Sequence, residues 1–445
     1  MRKPARPFTF LFGDRMRGGQ RFRSQPEAGF TFGHRIGNIE NLKSETGRND
    51  VSFAQIRLRR PRRAAFFASF PLWAYFLVLL FTVRPVMAQT DPTKETPEKK
   101  SEAAKKEAEK KKWAPHFILV PDLYYRPETR LAVGIGGFAN YRLGKDKENT
   151  RPSTIGLTAL YTMNKQMRIS LRPEIYLGGN SYILSGALNY SIFPTKFYGI
   201  GNNVPESQAE MYTPTTLGFL LSVRRKFFQN VFAGLQYQFK KTVIEKVEPG
   251  GMLSSGTITG SQGGIISGLG LVLSWDNRDN IIFPRRGRYF QLTADVFGRY
   301  IGSDFNYAAF RLDLRTYIPM FEKHVLALQV FMRAVSGDAP FYDLSNLGGA
   351  WIMRGTFNGR YSDKSLLAAQ AEFRLHVWKR LSAVSFAGLG DVSPNLTSFT
   401  FNPFKYSLGG GLRYRIDSRE GTNVRIDYAW GRGSTGLYIT LLEAF

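Results

Sequence analysis

The feature that most constrains this chain is an alternation of apolar and polar residues that begins at His116 and continues to the last residue, Phe445. The segments 323–334, 366–378 and 423–430 show it clearly. In the second of these, one face carries Leu367, Ala369, Ala371, Phe373, Leu375 and Val377. Successive side chains of a β-strand point to opposite faces, so each segment has one apolar and one charged face. The pattern predicts strands from there to the end of the chain.

The length of these segments indicates that they cross a membrane. They run about ten to fifteen residues, which spans a bilayer when a strand is tilted, whereas the packed sheets of a soluble sandwich use mainly short strands. We count about sixteen segments, and an even number is typical of single-chain bacterial outer-membrane barrels. The sequence therefore predicts an all-β fold, a transmembrane antiparallel β-barrel over residues 113–445, surrounded by the lipids of the bacterial outer membrane.

The connections between the segments differ in length, and this indicates which side each one lies on. An even strand number places both ends of the barrel on the periplasmic side. The long connections then all lie outside the cell: 193–210, 246–261, 337–364 and 391–403. The connection 276–287 is the one long turn on the periplasmic side. Short periplasmic turns and longer outer loops are the usual arrangement in such barrels.

Three segments precede the barrel. Residues 1–58 are basic and aperiodic, and we expect a disordered or mis-annotated start. Residues 59–88 combine a positive n-region, an apolar run and a Val86-Met87-Ala88 ending, which predict a signal peptide. An uncleaved membrane anchor is the alternative. Residues 89–112 alternate lysine and glutamate with alanine, which predicts a solvated charged linker with no room for a domain of about 70–80 residues.

Composition and motifs argue against a metal centre, a nucleic-acid partner and an enzyme. The chain has no cysteine and four histidines, none spaced as a metal pair, so we expect no metal and no cofactor. Its net charge is +26, but roughly eleven of these charges precede Gln89 and the rest are spread along strands, unlike a basic nucleic-acid surface. Residues 431–436 match G-x-G-x-x-G, yet another strand follows, so we interpret them as a hairpin turn. No serine–histidine–acid set supports a barrel-embedded hydrolase.

The barrel segment contains four motifs in order. They are the stretch KFYGIGN at 196–202; the turn residues Asp276, Arg278, Asp279, Pro284 and Gly287; the stretch 347–355, which ends in Met353, Arg354 and Gly355; and 409–413 followed by Asp427 and Tyr428. Together they resemble the BamA/TamA-type family, also called the bacterial surface antigen family, over most of 116–445. The resemblance implies a sixteen-strand barrel whose first and last strands pair.

The resemblance also implies a latch inside the barrel. In the family, the loop that carries the arginine folds back into the lumen, where the arginine meets acidic residues on two walls. Here Arg354 would meet Glu372, because the sequence from Gln370 to Glu372 matches the first wall. On the second wall, Gly388 stands where the family has an aspartate, and Asp391 falls on the opposite strand face, which leaves the second contact open.

The residues favour the same arrangement independently of the resemblance. Glu372 lies on the strand face opposite Phe373, hence in the lumen, where an arginine can make a bidentate contact. The loop 337–364 is the longest in the barrel and is unusually apolar for a loop exposed to water. We therefore expect Arg354 against Glu372. We also expect the loss of Arg374 to cost much less than a charge placed at Phe373.

The final segment, 436–445, is predicted to be the last strand. Its terminal Phe445 resembles the signal that the barrel assembly machinery recognises during biogenesis of outer-membrane barrels. That signal usually has an apolar residue where Glu443 stands. We expect Phe445 to serve as the assembly signal and the assembly machinery to be a partner.

The resemblance and the strand edges together predict a function. The family inserts or translocates polypeptide or lipid at the outer membrane, so client polypeptides are the expected partners. Its members usually carry periplasmic POTRA domains, and because none fits here, a separate periplasmic partner would be needed. A weak seam between the first and last strands, shortened by Pro115, Pro121 and Pro127, would expose edges that template added strands. A passive porin-like channel or a structural barrel is the alternative.

We expect the mature protein to begin at Gln89, directly after the small-x-small ending of the signal peptide. Intact-mass measurement of the protein taken from outer-membrane fractions checks this expectation. A mass that still includes residues 64–83 would indicate an anchor instead.

Overall fold

The computed structural model describes residues 115–126, 129–144, 146–416 and 421–445. The expected start segment 1–58, signal peptide 59–88 and charged linker 89–112 lie outside these residues. Within the described ranges, no helix is long and apolar enough to cross a membrane.

The described chain is built almost entirely of β-strands. They are β1 His116–Arg126, β2 Arg130–Tyr141, β3 Ser153–Thr162, β4 Met167–Leu177, β5 Tyr182–Ile192, β6 Thr195–Phe197, β7 Glu210–Phe228, β8 Val231–Val247, β9 Gly263–Asp276, β10 Gly287–Phe297, β11 Tyr307–Met320, β12 His324–Gly337, β13 Ser345–Leu347, β14 Tyr361–Asp363, β15 Ser365–Trp378, β16 Leu381–Ser393, β17 Lys405–Arg415, β18 Asn423–Gly431 and β19 Ser434–Leu441. Three single-turn 3₁₀ helices lie in the connections: Glu206–Gln208, Arg299–Ile301 and Phe341–Asp343.

Sixteen of these strands form a closed antiparallel barrel. Each pairs with the next along the chain, and β1 pairs with both β2 and β19, which closes the ring. The three short strands are additions: β6 pairs with β7 beyond the end of β5, and β13 and β14 form a separate hairpin inside the connection from β12 to β15. The all-β antiparallel barrel predicted from the alternation is therefore confirmed, although β7 and β8 are longer than expected, at 19 and 17 residues.

The outer and inner faces of the barrel separate as the alternation predicts. On β9, the outward residues Leu269, Leu271 and Leu273 are 53%, 64% and 41% exposed, while Gly270 and Val272 between them are buried. Exposed leucines in a continuous band are unfavourable in water and favourable against lipid tails. Hydrocarbon also offers the backbone no hydrogen-bond partner, so strands in the bilayer must pair with one another.

Three segments fold into the barrel interior. The connection 337–364 enters from the outer end, the turn 277–286 lies at the periplasmic end, and the last four residues turn inward beside it. All three line the cavity of about 970 Å³ that remains in the lumen. The interior is therefore largely filled by protein.

The last strand ends earlier than the sequence predicts. β19 stops at Leu441, Leu442 adopts a left-handed conformation with φ 66°, and Phe445 is buried against Tyr317 and Val325 on the inner wall. In β19, the odd-numbered residues face the lipid. If the strand continued, Glu443 would therefore face the lipid, where a carboxylate is unfavourable. Turning inward lets Glu443 pair with Arg413 at 2.8 Å instead. The expected strand to Phe445 is wrong for this reason, and an assembly role for that residue stays a prediction.

The seam between the first and last strands is short. β1 pairs with β2 along eleven positions, and β18 pairs with β19 along eight. Between β1 and β19, in contrast, the register records one pair, Tyr125 with Leu437, among the described residues. The seam is therefore the least paired junction of the ring.

We expect Leu271→Arg to destabilise the folded barrel by about 2–4 kcal/mol, because it places a charge against lipid near the middle of a strand. Tyr300→Arg, in a fully exposed outer turn, is the matched control and should cost about 0–1 kcal/mol. Denaturant unfolding in lipid vesicles measures both values. Equal costs would mean that the β9 face does not lie in the bilayer.

Candidate functional site

The loop 337–364 enters the lumen because its middle is apolar. Leu347 and Met353 are fully buried, and they pack with Tyr361, Leu366 and Val392 in one cluster. This cluster joins the loop hairpin β13–β14 to the inner faces of β15 and β16. Burial of these side chains removes from water the apolar surface that made an external loop unfavourable.

The tip of the loop lies directly on the last hairpin of the barrel. Gly355 has φ 90°, and a Cβ atom there would lie 2.6 Å from the carbonyl carbon of Trp430. Only glycine allows this approach. The Gly355 N–H donates to the Tyr438 hydroxyl at 2.9 Å, and the Ser434 hydroxyl donates to the Gly355 carbonyl. The loop is therefore hydrogen-bonded to β19, the strand that borders the seam.

Arg354 reaches two carboxylates on different walls of the lumen. Its Nη1 lies 2.8 Å from Glu372 Oε2 on β15 and 2.7 Å from Asp427 Oδ2 on β18. All three side chains are fully buried. The guanidinium also stacks over the Phe386 ring, 3.5 Å from its centroid. Charge-assisted contacts of this kind are strong where water is excluded.

The pair belongs to a larger buried ionic cluster. Four arginines and three carboxylates take part: Arg354, Arg374, Arg413 and Arg425 with Glu372, Asp427 and Glu443. Every one of them is less than 10% exposed. The cluster carries one more positive than negative charge. Because buried ions are stable only when paired, removal of a carboxylate should be more harmful than removal of an arginine.

Arg374 corrects one sequence-based expectation. We expected the loss of this side chain to cost much less than a charge placed at Phe373, but Arg374 is only 3% exposed. Its Nε donates to Glu372 Oε1 at 2.9 Å, its Nη1 to the Pro284 carbonyl at 3.3 Å and its Nη2 to the Phe445 carbonyl at 2.9 Å. Arg374 therefore joins the ionic cluster to the periplasmic turn and to the inward tail. The charged face of β15 is therefore buried at this position and is not exposed to water.

The structure explains why glycine stands at position 388, where the resemblance leads one to expect an aspartate. A Cβ atom on Gly388 would meet the Met353 sulfur at 3.1 Å, so the loop itself occupies the space in which a larger side chain would stand. The second carboxylate comes instead from Asp427, one strand pair further along the ring. Sequence analysis placed Asp427 on a charged strand face but did not connect it with Arg354. Asp391 pairs with Lys405, away from the latch.

Gln370 contacts the loop but not the arginine. Its Nε2 donates to the Trp351 carbonyl at 2.8 Å and to Gln329 Oε1 at 2.6 Å. It therefore holds the backbone of the loop one turn before Arg354. Among the residues predicted for the latch, the structure brings Arg354, Glu372 and Gln370 to one side of the lumen, with Gly355 at the last hairpin.

The turn motif stabilises the periplasmic connection. Asp276 accepts hydrogen bonds from Arg278 Nε at 2.9 Å and from Arg151 Nη1 at 2.8 Å. Asp279 Oδ1 accepts three backbone N–H groups, those of Asn280, Arg285 and Arg286. Gly287 has φ 106°, which favours glycine. The motif holds the turn against the lumen, where the Pro284 carbonyl meets Arg374.

This chain is similar to one known protein family and to several solved structures. The model of the Omp85 superfamily domain matches residues 151–433. The crystal structure of BamA from Haemophilus ducreyi lacking POTRA domains 1-3 matches with a TM-score of 0.50 at 16% identity, over 74% of this chain and 70% of that one. CdiB from Acinetobacter baumannii gives a TM-score of 0.48 at 14% identity, over 74% and 59%. No curated protein matches. At 16% identity, the likeness to BamA is evidence of a shared fold alone.

We expect Arg354→Met to raise ion conductance across planar bilayers, because it removes the ionic contacts of the loop with Glu372 and Asp427 on the two walls. It should cost less folding stability than Glu372→Gln, which leaves four arginines facing two carboxylates and should cost about 3–5 kcal/mol. Arg315→Met is the matched control, since Arg315 pairs with Asp313 and lines the lumen without contacting the loop. A conductance for Arg354→Met equal to that of the control would refute the latch.

Proposed function

The chain belongs to the Omp85 superfamily and is an integral outer-membrane β-barrel of the BamA/TamA type, and from that premise we propose that it inserts or translocates polypeptide or lipid at the outer membrane. The proposed activity is not enzymatic. It consists of opening the seam between β1 and β19 so that a client can pair with an exposed strand edge. Its partners are client polypeptides, the surrounding lipids and a separate periplasmic protein that delivers the client.

The observation that carries this proposal is the short seam. Along most of β1, the edge that faces β19 has no recorded partner among the described residues, although β2 pairs with the other edge throughout. Unpaired strand edges recruit further strands, as in strand-addition complexes. Pro121 lies in the middle of β1 and has no N–H to donate, which also limits its pairing.

The lumen supports the same mechanism because its cavity reaches the seam. Pro121 of β1, Gly136 of β2 and Leu441 of β19 all line it. A client that paired at the seam would therefore have open volume directly behind it. Pro121 is rigid and Gly136 has no side chain, so little side-chain packing has to be broken here when the seam parts.

The latch provides a means of control. The loop tip is hydrogen-bonded to Ser434 and Tyr438 of β19 while Arg354 holds the loop to β15 and β18. Displacement of the loop would release β19 on its inner side. The latch and the seam therefore share β19. Movement of the loop in the lumen would change how firmly β19 is held at the seam.

The seam can be locked with a disulfide, since the chain contains no cysteine that would interfere. Tyr125→Cys combined with Leu437→Cys joins the two seam strands at their recorded register pair. The control lock is Leu269→Cys with Val296→Cys, a lipid-facing pair between β9 and β10. Both locks use directly opposed strand positions, where a disulfide fits.

We expect the seam lock to reproduce the outer-membrane protein and lipid profile of a strain that lacks this protein, and a reducing agent to restore the normal profile. The control lock should behave as the unmodified protein. Quantitative mass spectrometry of outer-membrane fractions measures the profiles. A seam-locked protein with full activity would contradict the proposed mechanism and favour a passive barrel.

A further inference from the structure

The KFYGIGN stretch at 196–202 takes no part in the latch, but it forms one wall of a second cavity. This cavity has a volume of about 500 Å³ and lies at the outer end of the barrel. Lys196 and Tyr198 line it from the stretch, and Arg360 and Tyr361 from the loop 337–364. Arg432 lines it from the turn between β18 and β19. Its volume lies within the range of sites for small molecules.

The charge of this cavity is mainly positive. Lys196, Arg360 and Arg432 line it, and none of the three forms an ion pair with a carboxylate in the part of the chain that the structure describes. Glu206 is the one carboxylate among the described lining residues. A concave surface with an excess of cations concentrates anions from solution.

Arg360 is fixed in place before any ligand arrives. Its guanidinium lies between the rings of Tyr198 and Tyr361, 4.9 Å and 4.7 Å from their centroids. Nη2 donates to the Val204 carbonyl at 2.9 Å, while Nη1 is buried and has no acceptor among the described residues. A buried donor without an acceptor is unfavourable, and an oxygen of a bound anion would satisfy it.

A further cation lies close by. Lys405 Nζ is 4.8 Å from the centroid of the same Tyr361 ring, on which Arg360 also lies. Lys405 has its own partner, Asp391, so it adds to the positive potential without needing a ligand. The fold therefore draws together like charges that repel one another, which a bound anion would offset.

We propose that this cavity binds a phosphate group, carried either by a free phosphorylated solute or by the headgroup of an outer-leaflet lipid. A phosphate has several acceptor oxygens and up to two negative charges, which match the unsatisfied Nη1 of Arg360 and the two further cations Lys196 and Arg432. The ligand would also stabilise the outer end of the latch loop. That end is already joined to the KFYGIGN stretch by the hydrogen bond from Gly201 N–H to the Ser362 carbonyl, at 2.7 Å.

Titration calorimetry with inorganic pyrophosphate tests the site on the full-length protein in detergent. We expect saturable binding at one site, weakened at least tenfold by Lys196→Gln combined with Arg432→Gln. These two side chains are exposed, so the variant should fold, and its heat-modifiable migration on gels checks this. Arg299→Gln, an exposed arginine of another outer turn, is the matched control and should bind as the unmodified protein does. An absence of saturable binding, or equal affinity in all three proteins, would overturn the proposal.

A competition experiment separates the two sources of the phosphate. Nanodiscs of phosphatidic acid in phosphatidylcholine are compared with nanodiscs of phosphatidylcholine alone. Weaker pyrophosphate binding in the former would support the site and identify a lipid headgroup as the ligand. Equal pyrophosphate binding in both, still lost in the double variant, would support the site with a free solute as its ligand.

Discussion

Hydrogen bonding of the backbone in lipid is the constraint on which the rest of this structure depends. Hydrocarbon offers no partner for an N–H or a carbonyl, so a strand in a bilayer must pair on both edges or leave groups unsatisfied. Fifteen junctions of the ring meet this requirement along most of their length, and the junction between β1 and β19 does so at one recorded pair. An edge that remains unpaired in this setting has a strong tendency to accept another strand, which is the physical basis of the proposed activity.

Charge inside the barrel follows from the same alternation that places leucines outside. Each strand that crosses the bilayer must turn its polar residues inward, and a filled lumen then has to balance them. The cluster around Arg354 does so with carboxylates from β15, from β18 and from the inward tail. The loop adds Arg354 to this cluster, where its guanidinium contacts both Glu372 and Asp427. The same loop carries Arg360 to the outer cavity, so one segment contributes an arginine to each of two ionic sites.

The architecture could be predicted from sequence because alternation reports which face each residue occupies. Alternation does not report the position of a strand around the ring. Glu372 was expected near Arg354 because its motif belongs to the latch, whereas the motif that contains Asp427 marks only a closing strand, so its contact with Arg354 was missed. The inward turn at Leu442 was also missed. Apolar residues at alternate positions of 436–441 predict a strand that continues to Phe445, and only the unfavourable placement of the Glu443 carboxylate against lipid argues against it. The burial of Arg374 was not predicted, because the alternation shows which face of the strand a residue occupies but not whether that face is exposed to water.

The proposed mechanism requires that β1 and β19 form the least stable strand pairing of the barrel. Amide hydrogen exchange of the purified protein in nanodiscs tests it most directly, because exchange reports local opening strand by strand. We expect amides of β1 and β19 to exchange well before those of β11 and β12, which pair with each other along fourteen positions. Uniform protection across all four strands would contradict it.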